Sequence, residues 1–322
     1  MPNPVLVEVT RGSLVESVHR GSVAVADAGG KIVFALGDLE TPVYPRSSLK
    51  PIQALPLIES GAADAFGLGP EEIALACASH SGEPMHTSRV AAWLARIGCG
   101  PSDLACGAHP SRYEPVAEAM IRNGETPTRI FNNCSGKHTG FLSMARHWDI
   151  ATAGYERHDH PVQKAVLRTL TDLAEVGGDI PWGIDGCAAP NFALPLAVQA
   201  HAFAKLAGPR GARIFAAMVA HPELVSGTGR TCAILMRSTQ GRAAVKTGAE
   251  GFFAGFVPEL RLGIALKIDD GAARAAETAM AAVLAKLGLL GDDEPAAAIL
   301  RAPIKNTVGA TVGERRAVAP LI

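Results

Sequence analysis

Ser47 and Lys50 stand three residues apart in the run Pro45-Arg46-Ser47-Ser48-Leu49-Lys50-Pro51. A serine hydroxyl is a weak nucleophile until a base takes its proton. Residues three apart on a helix share a face, so this spacing lets Lys50 reach back to Ser47. A lysine serves as base only where burial or another cation favours its neutral form. A helix start adds a positive potential that favours a developing alkoxide. Ser48 is a rival nucleophile, but it lacks the three-residue relation to Lys50. Taken alone, S-x-x-K also describes a helix cap followed by a surface lysine.

A second lysine lies in Lys246-Thr247-Gly248, at the end of a run, Arg242 to Lys246, that reads as a strand. S-x-x-K at a helix start with K-T-G downstream on a strand edge resembles the pairing of penicillin-recognising serine enzymes. The lysine brings positive charge toward the nucleophile, and the glycine predicts close approach of substrate to the strand backbone. Alone, K-T-G is equally an ordinary strand end entering a turn. Ser79 follows the apolar run Ile73–Ala78, in Cys77-Ala78-Ser79-His80-Ser81-Gly82-Glu83. It reads as a polar turn closing a helix, or as a second hydroxyl that shuttles protons in the cleft. Neighbours in sequence seldom point at each other, which argues against a Ser79–His80 dyad, and no G-x-S-x-G elbow supports a Ser-His-Asp triad.

Two polar loops each place a cysteine beside glycine: Phe131-Asn132-Asn133-Cys134-Ser135-Gly136-Lys137-His138 and Ile184-Asp185-Gly186-Cys187. Two thiolates brought together could hold zinc, with His138, Asp185 or water completing a tetrahedron and Lys137 as an unusual amine donor. Three other readings stand beside that one. Cys134 could be a nucleophile with His138 as base, the pair could form a redox disulfide, or both could be inert buried thiols.

These residues need a scaffold, and the chain offers one. It has 322 residues, 48% of them hydrophobic, enough for a sizeable core. Short β-rich runs at Val5–Val9, Val18–Ala26 and Lys31–Leu36 predict strands, the last two joined by a turn at Asp27–Gly30. Helical patterns occupy Lys50 to about Ser60, His86–Ile97, Pro161–Val176 and Phe192–Leu206. Strand patterns return at Thr231–Arg237, Ala243–Lys246 and Leu262–Ile268, followed by an alanine-rich helix over Gly271–Leu287. The expectation is an α+β fold. One antiparallel sheet takes strands from 1–44 and from the 225–322 region, helices flank it, and 45–224 forms a mainly helical inserted region within a single catalytic unit. The last 30 or so residues carry no clear pattern.

Charge and cysteine usage exclude several classes. Lysine plus arginine (30) nearly balance aspartate plus glutamate (31), with no basic stripe, so no nucleic-acid partner is expected. The six cysteines are irregularly spaced and do not read as a disulfide framework. Glu8 and Arg11 interrupt any leader-like apolar stretch. The longest apolar region, near 192–207, contains Pro195, His201 and Lys205, so no membrane span is expected. A reducing cytoplasm is the expected setting.

Taken in order, Pro45–Pro51, Cys77–Gly82, Cys106-Gly-Ala-His-Pro110, Asn132–His138, Asp185–Cys187, Val245–Gly251 and Ala265–Gly271 resemble the thermolabile, rhizobial-type L-asparaginase family. The likeness runs from about residue 5 to 290. It implies a fold similar to serine β-lactamases and glutaminases, hydrolysis of L-asparagine to L-aspartate and ammonia, and a homodimer. It implies two serine–lysine pairs, Ser47 with Lys50 and Ser79 with Lys246. It also implies zinc on Cys134, Lys137 and Cys187, positioning substrate. Arg46, His80, Asn133, His138 and Asp185 are then candidate substrate-binding or supporting residues. S-D-N, the middle motif of β-lactamases, is absent. Alternatives are a zinc enzyme using metal-bound water, a glutaminase-like amidase, or a sensor without catalysis.

Overall fold

The β-rich run at Val18–Ala26 becomes part of a 14-residue strand, Leu14–Asp27, in the computed structural model, which describes residues 2–291 and 294–322. Its first half pairs with Val5–Arg11, and its second half pairs with Leu262–Ile268 and Ile32–Leu36. Among the described residues, eight strands make one antiparallel sheet around it. Outward on one side come Val5–Arg11, Thr311–Ala317 and Arg301–Lys305; on the other come Leu262–Ile268, Phe252–Val257 and Ala244–Thr247. Strands from both ends of the chain therefore share one sheet, the expected α+β arrangement.

This sheet belongs to the first of two units, Met1–Leu49 with Ala193–Pro209 and Ile234–Ile322. Helices Leu196–Leu206 and Ala273–Lys286 pack on it. Its core is apolar, with Leu6, Val23, Val25, Phe253, Phe256, Ile264 and Leu266 all buried. Burial of such side chains is the main favourable term in folding, about 1.5–3 kcal/mol each.

Two departures from expectation are instructive. Thr231–Arg237 is not a strand but lies in helix Thr231–Ser238. Its buried residues, Cys232, Ala233, Leu235 and Met236, follow helical spacing, which the β-branched start disguises. The unpatterned C-terminal stretch contains helix Glu294–Leu300 and the strands Arg301–Lys305 and Thr311–Ala317.

The second unit, Lys50–Phe192 with Arg210–Ala233, is mainly helical. Helix Lys50–Glu59 packs on Ser135–His147 and Pro161–Ala174, while Pro70–Ala76 packs on Ser135–His147, Pro84–Arg96 and Ala212–Ala220. Pro51 sits in the first turn of its helix, where an N–H is not needed. Among the described residues, no helix is long and apolar enough to cross a membrane.

Candidate active site

In the sheet unit, Ser47 lies half-buried on the short 3-10 turn Arg46–Leu49, which runs directly into helix Lys50–Glu59. Arg46, just before it, adopts a left-handed backbone with φ of 52°. For a residue other than glycine this costs on the order of 1 kcal/mol, a strain that functional sites tend to store. Ser48 is fully buried, and its hydroxyl donates to the Lys246 carbonyl at 2.8 Å. Its hydrogen is thus committed to holding the turn against the strand. Gly248 has a related reason: a Cβ there would stand 2.5 Å from Pro45 O and 2.9 Å from Ser48 Oγ. The turn itself approaches the strand backbone at this point. Lys246 is 1% exposed, and its Nζ donates to Thr247 O at 2.8 Å.

In the helical unit, Lys50 is 1% exposed and opens its helix. Its Nζ donates to Ser79 Oγ at 2.9 Å and to the carbonyl of Ala78. The Ser79 backbone N–H donates to Val225 O at 2.9 Å. The implied pairs Ser47–Lys50 and Ser79–Lys246 each join residues of the two units. Within the helical unit alone, Lys50 already has a serine partner, and it is Ser79.

His80 is fully buried, and counting its hydrogen bonds fixes its tautomer. Gly82 N–H donates to Nδ1 at 3.1 Å, so Nδ1 carries no hydrogen. Ser135 Oγ gives its own hydrogen to Ile130 O, so it accepts from His80 Nε2–H at 2.9 Å. Burial, with help from His86 and Lys50, holds the His80 pKa well below the usual imidazole range. Both ring nitrogens are occupied, so His80 pins the loop after Ser79 rather than acting as its base. His86 stacks on it with centroids 4.8 Å apart and has the same tautomer, accepting from Glu83 N–H and donating to Glu223 O.

The two cysteine loops do meet. Lys137 Nζ lies 3.0 Å from Cys187 Sγ, and both residues are buried with Cys134. Hydrogen bonding from the Cys134 thiol, then Lys137, stabilises a Cys187 thiolate and lowers its pKa. The same contact, with burial, raises Cys134. Burial opposes the charge on Lys137, but the two sulfurs outweigh it and raise its pKa. His138 Nδ1 is 2.6 Å from Tyr155 Oη, while its buried Nε2 has no hydrogen-bond partner among the described residues. Asp185 is half-buried at the turn before Cys187, with Gly186 N–H on its Oδ1 at 2.7 Å. Asn133, also half-buried, accepts from His80 N–H through its carbonyl at 3.2 Å.

Cys134, Cys187 and Lys137 offer two sulfurs and an amine, donors of the kind zinc takes once Cys134 and Lys137 lose their protons. No group of three or more His, Cys, Asp or Glu able to hold a metal occurs among the described residues.

Several residues of this region have no signature in the sequence. Tyr155 orients His138 from 17 positions away and accepts Ala105 N–H at 2.8 Å. Ser135 supports His80, and Glu83 and Thr228 join two loops near Ser79. Only the density of polar residues in Ser79–Glu83 hinted at the last of these.

The model of the L-asparaginase II family matches residues 7–317. No curated protein matches the chain. An octameric penicillin-binding protein homologue from Pyrococcus abyssi is 13% identical, covering 83% of this chain and 73% of that one, with a TM-score of 0.37. A β-lactamase from Mycobacterium bovis is 16% identical over 83% of this chain and 94% of its own, with a TM-score of 0.35.

Proposed function

The chain belongs to the L-asparaginase II family, enzymes of the L-asparaginase type acting on amides, and from that premise we propose that it hydrolyses L-asparagine to L-aspartate and ammonia by a serine–lysine acyl-enzyme route. The observation that carries the chemistry is the buried Lys50 amine, 2.9 Å from Ser79 Oγ. Ser47, three residues before Lys50 on the turn entering the same helix, is the nucleophile in this reading. Lys50 takes its proton as Ser47 Oγ bonds to the side-chain amide carbon. Backbone N–H groups stabilise the oxyanion. The C–N bond then breaks, and the departing nitrogen leaves as ammonia with a proton relayed from Lys50 through Ser79, with Lys246 supplying positive charge. Water attacks the ester, aspartate leaves, and the Ser47 hydroxyl is restored.

Zinc, in the same reading, is held by Cys134, Lys137 and Cys187 and supplies a fixed positive charge that helps orient the substrate. Arg46, Asn133 and Asp185 are the proposed substrate contacts, with His138 supporting the thiol cluster. The proposal includes a homodimer in the cytoplasm, which light scattering and cell fractionation test.

The decisive assay is ammonia release over asparagine, glutamine and small amides, with metal content measured on the same sample. Ser47→Ala is expected to lose about three or more orders of magnitude in kcat. Near-normal turnover in Ser47→Ala, with loss in Ser48→Ala or Ser79→Ala, moves the nucleophile elsewhere. Complete loss on chelation, not rescued by excess asparagine, favours attack by metal-bound water.

A further inference from the structure

Ser79 is held opposite Lys50 by a loop that has little regular structure of its own. Residues 78–83 run between helices Pro70–Ala76 and Pro84–Arg96. Beside His80, a carboxylate helps to fix this loop: Glu83, which is 6% exposed. Ser81 Oγ donates to Glu83 Oε1 at 2.5 Å. Thr228 donates twice, through its N–H to Oε1 at 2.9 Å and through its hydroxyl to Oε2 at 2.6 Å. The short helix Pro222–Ser226, just before Thr228, receives the Ser79 N–H at Val225 O. Both carboxylate oxygens are therefore spent on stitching the Ser79 loop to the chain just after that helix.

The stitch leaves no spare room. Gly227, between Val225 and Thr228, has a φ of +123°, and a Cβ there would stand 2.1 Å from Ser81 Oγ and 3.0 Å from Glu83 Oε1. No other residue fits that backbone at that distance. Charge-assisted hydrogen bonds of this length are about twice as strong as neutral ones, so one carboxylate can define the separation of two loops.

Building on the asparaginase reading, we propose that Glu83 is a positioning residue for the reaction, clamping the Ser79–Glu83 loop to Val225–Thr228 so that Ser79 Oγ stays within hydrogen-bond reach of Lys50. It touches neither substrate nor reacting atoms. Its effect is on the proton relay, where small displacements of a transferring group carry large rate costs.

Glu83→Gln keeps the shape but cannot accept three donors. It is expected to lower kcat for asparagine by about 10- to 100-fold with KM little changed. Thr228→Val should resemble Glu83→Gln, while Thr228→Ser, which keeps the hydroxyl, should match wild type. Hydrogen exchange followed by mass spectrometry gives a readout independent of substrate. In Glu83→Gln, exchange should rise in 78–83 and 225–228 and stay unchanged in the strands of the sheet. Unaltered exchange in those loops, unaltered kcat in both Glu83→Gln and Thr228→Val, or exchange rising across the whole chain would overturn the positioning role. If wild type releases no ammonia from any amide, the asparaginase reading fails, and the exchange pattern still decides whether Glu83 clamps the Ser79 loop.

Discussion

Lys50 Nζ and Ser79 Oγ lie 2.9 Å apart, an amine against a hydroxyl and not against a carboxylate. Such a bond runs in either direction: an ammonium donates to the serine oxygen, and a neutral amine accepts the serine proton. In the proposed mechanism a proton crosses this bond and returns. Lys50→Met, which keeps the volume and removes the amine, is expected to lower kcat by about 10³-fold or more. Lys50→Arg should be equally inactive, because a guanidinium does not give up its proton in proteins. Turnover recovered by arginine would rule out proton carriage by Lys50.

Ser48→Ala separates structure from chemistry at the adjacent serine. It leaves the Lys246 carbonyl without its buried donor, at a cost of about 1–2 kcal/mol. Calorimetry should show a melting temperature lower by roughly 2–4 °C. Acyl-enzyme formation, followed by intact mass, should persist. Its disappearance in Ser48→Ala alone would transfer the nucleophile from Ser47 to Ser48.

Cys187→Ala tests the thiol cluster in two ways. Metal analysis should find zinc reduced in Cys187→Ala and in Cys134→Ala. In chelated protein, Cys187→Ala also strands the buried Lys137 ammonium without the thiolate that holds it at 3.0 Å. Removing one member of a buried charge pair costs about 3–5 kcal/mol, so denaturant midpoints should fall well below those of Cys134→Ala. Equal midpoints would mean that Lys137 does not depend on Cys187 for its charge.

Glu83 should leave a mark on acid stability. Burial alone would raise its carboxyl, but hydrogen bonds from Ser81 and Thr228 outweigh it and hold the pKa below the usual carboxylate range. A group depressed in the folded state stabilises fully above its unfolded value, near ~4.3. That contribution is lost as pH falls through the folded value. The gap in melting temperature between wild type and Glu83→Gln should therefore be largest near neutrality and narrow below about pH 4. A gap that widens in acid would contradict the direction of the shift.

The sheet is readable where burial alternates along a strand, as in Ile32–Leu36. It is not readable in Phe252–Val257, whose six residues are all buried and so show no alternation. Nor is it readable in Arg301–Lys305 and Thr311–Ala317, which carry charged residues: the second becomes a strand by pairing with the N-terminal segment, and the first by pairing with the second. At the site, spacing within one loop could suggest Ser47 and Lys50. It could not reveal that Lys50 bonds to Ser79, 29 positions on, because that choice is made by helix packing and not by local pattern. His80 was chosen for its chemistry, yet its neighbours Gly82 and Ser135 consume both nitrogens.

The sheet also constrains when the molecule can form. Strand Val5–Arg11 pairs with Thr311–Ala317, Val7 opposite Ala317, and Leu14–Asp27 pairs with Leu262–Ile268. On the ribosome, these strands must wait for partners made far later in the chain. Until then their N–H and C=O edges are open to any other extended chain. Contacts of such sequence separation fold slowly, and a nascent chain in that state is prone to aggregate. Yield in a recombinant host should accordingly depend on chaperone supply and growth temperature more steeply than the stability of the finished protein would suggest.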